Sequence, residues 1–422
     1  MALSYSAGRA KVLQIAEQQS TYRRIGQDNV PLHDTIGGIA AEDVISPKSI
    51  PEYDTSAMDG YAVHSQATAA ASEQAPVTFK TNTNLCVEIM TGAIFPDGYD
   101  ACVKIEDTVL VDSPAGRHIL ITKPVAQNAN RRFAGSDILS GDVVVKQGEA
   151  VRPSHILPLA SIGFDSIPLA QKPRVGIWST GKEMINGKGA TRDANGPYLT
   201  AAVREMGLHG AFLGVLGDDP AGLHDHVRAA VGSREYDLLI TSGAVSKGRF
   251  DHVRDVLDKM GAEIVFHGLA IRPGHPVLFA LIPGVKGRTA FFGLPGNPGA
   301  AAACFRFLAV PYLRVLQGRA MERPILARVL RQPETSKAKH GCHSMQNTDC
   351  FRHGVLSTSV TGQLIVEPSA EQSPAKLGPF ITANCWIHFR PDHPPGPGAT
   401  DLVECYPISS TGTIHLSTSL LN

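Results

Sequence analysis

From Arg174 to about Gly318 the chain alternates short apolar runs with amphipathic ones, and few folds accommodate that order. The pattern predicts strands over 175–178, 211–216 and 238–241 and helices over 198–206, 221–231 and 251–260. The first of these helices would bury Leu199, Ala202, Val203 and Met206. Asp218 and Asp219 stand before Pro220, a helix cap followed by proline at the first helical position. Such alternation predicts a parallel sheet covered by helices on both faces. Two of its strands empty into loops of small residues, Thr241-Ser242-Gly243-Ala244-Val245-Ser246 and Pro295-Gly296-Asn297-Pro298. Backbone N–H groups at the carboxyl edge of such a sheet are where open α/β folds bind anionic ligands.

The flanking text differs. Residues 1 to about 55 open on an amphipathic helical pattern (Val12, Leu13, Ile15, Ala16) followed by a strand-like piece at 41–45. From 56 to 137 short strands and turns predict a β-rich module, with strands expected over 86–90 and 101–105. Residues 138–172 hold Gly141-Asp142-Val143-Val144-Val145 and an apolar helix over 155–162, and are expected to rejoin the first segment. After Pro324 β runs return, at 325–330, 363–366, 384–389 and 402–406, which predicts a small barrel or sandwich. The expected domains are thus 1–55 with 138–172, then 56–137, 173–320 and 321–422. A chain of 422 residues can bury a core in each.

Composition excludes several classes. The formal net charge is +0, so no basic field points to nucleic acid. Apolar runs break before the roughly 18 residues of a membrane span, and Met1 to Ala10 lacks the apolar core of a signal peptide. Seven cysteines, sparse and odd in number, fit a reducing compartment. A cytoplasmic protein with no membrane partner is expected.

The most specific text is Ser56-Ala57-Met58-Asp59-Gly60-Tyr61-Ala62-Val63. It is followed by Ile89-Met90-Thr91-Gly92-Ala93 with Pro96 and Gly98, then Lys104-Ile105-Glu106-Asp107. Ser179-Thr180-Gly181-Lys182-Glu183, Gly217-Asp218-Asp219-Pro220, the Thr241 loop and Gly293-Leu294-Pro295-Gly296-Asn297-Pro298 come next. In this order they resemble the molybdopterin molybdenumtransferases, the MoeA and gephyrin E-domain family, from about residue 10 to the C-terminus.

The resemblance implies a four-part α/β multidomain protomer. Its parts are a linker domain, an inserted β-rich domain, a MogA-like three-layer parallel α/β domain and a C-terminal β-barrel. It implies a homodimer that takes adenylated molybdopterin and molybdate as substrates, inserts molybdenum and releases AMP with Mg²⁺. Asp59, Thr91, Glu183, Asp218, Asp219 and Asp251 match the family's catalytic polar positions, with Asp59, Asp218 and Asp251 expected to hold Mg²⁺. Thr180, Gly181, Thr241, Ser242, Gly243, Ser246, Pro295, Gly296, Asn297 and Pro298 are expected at the phosphate end of the pterin. Arg272, His275 and Ser373 are expected to face molybdate.

Several departures fall on these positions. The family's two-lysine stretch reads Arg272-Pro273-Gly274-His275-Pro276 here, so one permanent charge becomes an imidazole that titrates near neutrality. Ala244 adds a methyl where the family has glycine. Lys247 and Arg249 flank Gly248 where the family has an acidic residue, and Ala300 replaces a serine. Asn347 stands where an arginine is expected, and Arg352 is retained. Two alternatives stay open, a diverged member acting on another phosphorylated or adenylated compound and a non-catalytic scaffold.

Cys342, His343, Cys350 and His353 match no common zinc spacing. His224 and His226, two apart on a helix, face different directions. Lys182 lacks the glycine spacing of a P-loop.

Overall fold

The computed structural model describes residues 3–23, 27–114, 116–181, 192–217, 219–243, 252–284, 287–330, 347–391, 402–409, 414 and 416–418. The chain divides into two units. One holds Met1–Asp28, Gly37–Ala41 and Leu169–Asn422, and the other Asn29–Ile36 and Glu42–Pro168.

The centre of the first unit is a six-stranded sheet. Its strands are β1 (Arg174–Thr180), β2 (His209–Leu216), β3 (Leu238–Ser242), β4 (Glu263–His267), β5 (Leu278–Gly284) and β6 (Gly287–Leu294). They lie in the order β2-β1-β3-β6-β5-β4. The first four in that order are parallel, as the alternation predicts. The far edge departs from the expectation, because β5 runs antiparallel to both β6 and β4. Gly284 and Gly287 close a hairpin there, and so short a connection cannot return a strand in parallel.

Helix α1 (Asn195–Glu205) buries Leu199, Ala202 and Val203 on one face of the sheet against Val175, Ile177 and Ile240. Helices α2 (Pro220–Ser233) and α3 (Val253–Lys259) bury Leu223, Val227, Val253 and Leu257 on the other, against Trp178 and Leu239. Three layers result, and every residue of β3 is buried.

A further helix, α4 (Pro298–Leu316), falls at the end of the alternating stretch and was not among the predicted helices. It is long and apolar enough to cross a membrane by composition, yet 89% of its apolar window is buried in the fold. Its alanines from Ala300 to Ala303 let it lie close to the sheet, and a π turn over Phe305–Ala309 interrupts it. Arg306 in that turn, 3% exposed, donates to both oxygens of Glu322 at 2.8 Å and to the Pro407 carbonyl at 2.9 Å. A buried guanidinium requires such full pairing. The helix Tyr5–Arg23 joins the same core through Val12 and Ala16, four residues apart on one face.

Beyond α4, strands Ile325–Val329, Asp349–Thr358, Leu364–Pro368, Cys385–Phe389 and Leu402–Pro407 close into a five-stranded barrel. Strand Leu269–Arg272 extends Asp349–Thr358 in parallel.

In the second unit, strand Gly60–Val63 pairs with Cys86–Ile89 and Ala101–Lys104. Gly116–Ile121 pairs with Val77–Lys80 and Thr108–Ser113. Tyr61, Val63, Phe79, Val103, Ile119 and Ile121 share one core. Strand Val44–Ile45 pairs with Val143–Val145, and Ile50 bridges Ile138, so the chain before the β-rich stretch meets the chain after it.

Candidate active site

From β1 the chain turns to β2 on one side, and β3 lies on the other, so the strand order reverses between β1 and β3. In a sheet of this kind a crevice opens outside the carboxyl ends at that point. Ser179 and Thr180 end β1, Thr241 and Ser242 end β3, and Leu294 ends β6. Thr180 Oγ1 donates to the Ser242 carbonyl at 3.1 Å, and Gly243 N–H to the Leu294 carbonyl at 2.9 Å. Gly243 has φ +106, and a Cβ there would stand 2.5 Å from Thr180 Oγ1 and 2.7 Å from Thr180 O. No other residue fits that bend.

Asn195, at the start of α1, ties the loops together. Its Nδ2 donates to Ser242 Oγ at 2.7 Å and to the Gly296 carbonyl at 2.8 Å. Ser242 Oγ in turn donates to the Pro295 carbonyl at 3.2 Å. Asp193 Oδ1 accepts from Ser179 Oγ at 2.9 Å and from Gly196 N–H at 3.1 Å. Its Oδ2 and the hydroxyl of Thr241 are buried without a hydrogen-bond partner. Asp193 and Asn195 went unread in the sequence, and Ser179 was read only as part of the Ser-Thr-Gly motif. The available signal was Asp193 standing three residues before the Gly196 amide it accepts from, a capping spacing at the start of α1.

Helix α4 gathers two further segments. Its Gly299 N–H donates to the Pro374 carbonyl at 2.8 Å, which seats Ser373 beside the Asn297 cap. Ser373 is exposed, and its N–H is held by Glu371 Oε1 at 3.0 Å. The turn after Arg272 leans on the same helix, since a Cβ at Gly274 would stand 2.3 Å from Cys304 Sγ. Arg272 and His275 are exposed. His275 Nδ1 lies 2.6 Å from the Leu269 carbonyl, so that nitrogen carries the proton and donates it.

Asp59 belongs to the second unit. Its Oδ1 accepts the Thr91 N–H at 2.7 Å, and this bond holds the carboxyl below the usual carboxylate range. Ser56 fixes the turn that presents it, donating to the Met58 carbonyl at 2.6 Å. Gly60 follows because a Cβ there would fall 1.9 Å from the Val103 carbonyl. Two residues far apart in sequence, Asp59 and Thr91, are thereby joined on an exposed surface with Met58, Met90 and Ile94.

Asp219 is differently employed. Its two oxygens accept from Ala221 N–H at 3.2 Å and Gly222 N–H at 2.9 Å, so the carboxylate caps α2. Glu183, Asp218, Ser246 and Asp251 lie outside the described residues, as do Ala244, Lys247 and Arg249. Among the described residues no group of three or more His, Cys, Asp or Glu side chains is arranged to hold a metal ion. Cys350 is buried, and His353 packs edge-on against Phe380 and tilted against Trp386, where burial pushes its pKa down to about 4. Cys342 and His343 lie outside the described residues.

With this geometry in hand, comparison with known proteins is informative. Residues 4–163 match the MoeA N-terminal region (domain I and II), and residues 176–315 match a probable molybdopterin binding domain. The chain is 30% identical over 410 residues to the molybdopterin molybdenumtransferase of Synechococcus elongatus, covering 92% of this chain and 95% of that protein. It is 32% identical over 371 residues to that of Haemophilus influenzae, covering 84% and 88%. The crystal structure of the molybdopterin biosynthesis MoeA protein from Pyrococcus horikoshii superposes with a TM-score of 0.69 at 28% identity, covering 94% of this chain and 98% of that one.

Proposed function

This chain belongs to the MoeA family of molybdopterin molybdenumtransferases, which act in molybdenum cofactor biosynthesis, and on that premise we propose that it inserts molybdenum into adenylated molybdopterin with Mg²⁺-dependent release of AMP. The observation that carries the reading is the clamp at Asn195, which reaches from the start of α1 to the end of β3 and to the Pro295–Pro298 loop after the adjacent β6. Gly296 leaves the backbone open to close approach by phosphate oxygens. A Cβ at Gly296 would meet no atom nearer than Gly243 Cα at 3.6 Å. Arg272, His275 and Ser373, on segments braced against α4, would attract and hold molybdate.

For Mg²⁺, a cation that takes one or two carboxylates along with substrate phosphates, Asp59 has the right donor chemistry. It is an exposed carboxylate kept ionised by the Thr91 N–H. Asp219 suits a cation less, because each of its oxygens already accepts an N–H in the cap of α2. When bound, Mg²⁺ would neutralise charge on a phosphoanhydride. Ser179, Thr180 and Asn195 would position the loops, and the closely packed strand ends would limit water at the crevice. We further propose that the protein works as a cytosolic homodimer.

The test is a single turnover of the purified protein with adenylated molybdopterin, Mg²⁺ and molybdate, following AMP and protein-bound molybdenum. Both signals are expected together. AMP without molybdenum would mark a diverged hydrolase, and neither signal would mark a binding protein on an inherited fold.

A further inference from the structure

We propose that a crevice of about 420 Å³ at the amino-terminal edge of the sheet is a second site, for a small phosphate-bearing anion. It lies at the opposite end of β1 from Thr180, about 20 Å from the strand ends by the rise of an extended chain. Arg174 opens β1 and His209 opens β2, and the two are register partners across the parallel pair. Arg204, in the last turn of α1, completes a basic rim. Leu208, Ala211 and Tyr236 add an apolar wall.

Arg204 is exposed, and one hydrogen bond orients it. Arg204 Nε donates to the Gly210 carbonyl at 3.0 Å, which fixes the guanidinium plane. Among the described residues, no acceptor meets its two terminal nitrogens, and none meets the His209 ring. The carboxylates nearest in sequence to these residues have other partners: Glu205, next to Arg204, accepts from Ser409 Oγ at 2.8 Å. Glu235 pairs with Arg174, and Asp237 Oδ2 accepts the Arg174 N–H at 2.8 Å. No carboxylate lines the crevice. The donors left facing the crevice are the terminal nitrogens of Arg204 and the His209 ring. A planar fork of fixed donors beside an imidazole suits an oxyanion, and the apolar wall suits the organic part of a phosphate monoester.

The experiment titrates the full-length protein with inorganic phosphate, AMP and adenosine, following the His209 ring by NMR with the signal assigned from His209→Gln. Phosphate and AMP are expected to shift that signal saturably, and adenosine to leave it in place. Arg204→Gln should weaken binding about tenfold or more, the loss expected for a charged hydrogen-bonding group. Asn195→Ala, which alters the candidate active site, should leave this titration unchanged. Arg204→Lys keeps the charge and loses the fork, so it should weaken binding severalfold even where Arg204→Gln disturbs the helix end. The proposal is overturned by no saturable shift with either anion, by an equal response to adenosine, or by unchanged affinity in a folded Arg204 variant.

Discussion

One amide nitrogen, Asn195 Nδ2, holds two loops that are otherwise joined through Ser242. Asn195→Ala should lower kcat/KM about ten- to a hundredfold while moving the melting temperature by no more than about 4 °C, since each lost hydrogen bond contributes about 1 kcal/mol. Asn195→Asp should behave alike, because a carboxylate cannot donate. Activity within twofold of the parent in both variants would remove the clamp from the mechanism. Gly243 answers to sterics rather than chemistry. Gly243→Ala forces a methyl within 2.7 Å of two Thr180 atoms at φ +106, and should cost about 1–3 kcal/mol in urea unfolding. Asp59→Asn keeps an acceptor for Thr91 and loses the charge. It should raise the Mg²⁺ concentration needed for half-maximal AMP release at least severalfold, and an unchanged Mg²⁺ dependence would take that carboxylate out of metal binding. The glycine and the aspartate were legible in the sequence, each within a short motif. The clamp was not, because Asn195 joins residues 47 and 101 positions away.

At the scale of elements, the barrel carries its own charged network. His388 on strand Cys385–Phe389 bonds Asp349 Oδ1 at 2.8 Å and Glu404 Oε2 at 2.9 Å, and Tyr406 and Arg390 also address Glu404. Tyr5 and Phe351 pack on the imidazole. Burial alone would lower the His388 pKa, but its bonds to the two carboxylates outweigh burial and raise it. The His388 bond, against a smaller opposing effect of burial, lowers the pKa of Glu404. A histidine raised in the folded state contributes stability that is full below its unfolded value, near 6.5, and is lost as pH rises through the folded value. Glu404 has the opposite sign, its contribution disappearing as pH falls through its depressed value. Urea melts should therefore show stability falling from neutral pH toward alkaline pH, and His388→Gln should lose that slope. The variant should also lose about 3 kcal/mol at neutral pH, because Asp349 and Glu404 lose the charged donor between them. A parent and variant with parallel pH profiles would contradict the assignment. None of this was readable from a β run with ordinary composition, since the three partners stand on three separate strands.

At the scale of the molecule, each unit has a core of its own. Ile240 lies in the core of the first, and Ile119 in that of the second. Calorimetry should resolve two unfolding transitions, with Ile240→Ala and Ile119→Ala each lowering a different one by about 2–5 kcal/mol. A single transition shifted equally by both substitutions would show one cooperative whole.

The alternation over 174–294 could be read directly, because a strand buried on both faces needs an unbroken apolar run and its covering helices need a periodic stripe. The small residues after β1, β3 and β6 were equally plain, since tight bends at strand ends demand them locally. Local pattern also placed a cap before Pro220, but it could not say that Asp219 spends both oxygens on it. Tertiary packing decided that Thr91 meets Asp59, that Pro374 meets Gly299, and that His388 bridges two carboxylates. These pairings depend on which surfaces are brought together, and that is set by the burial of whole elements rather than by any one stretch of sequence.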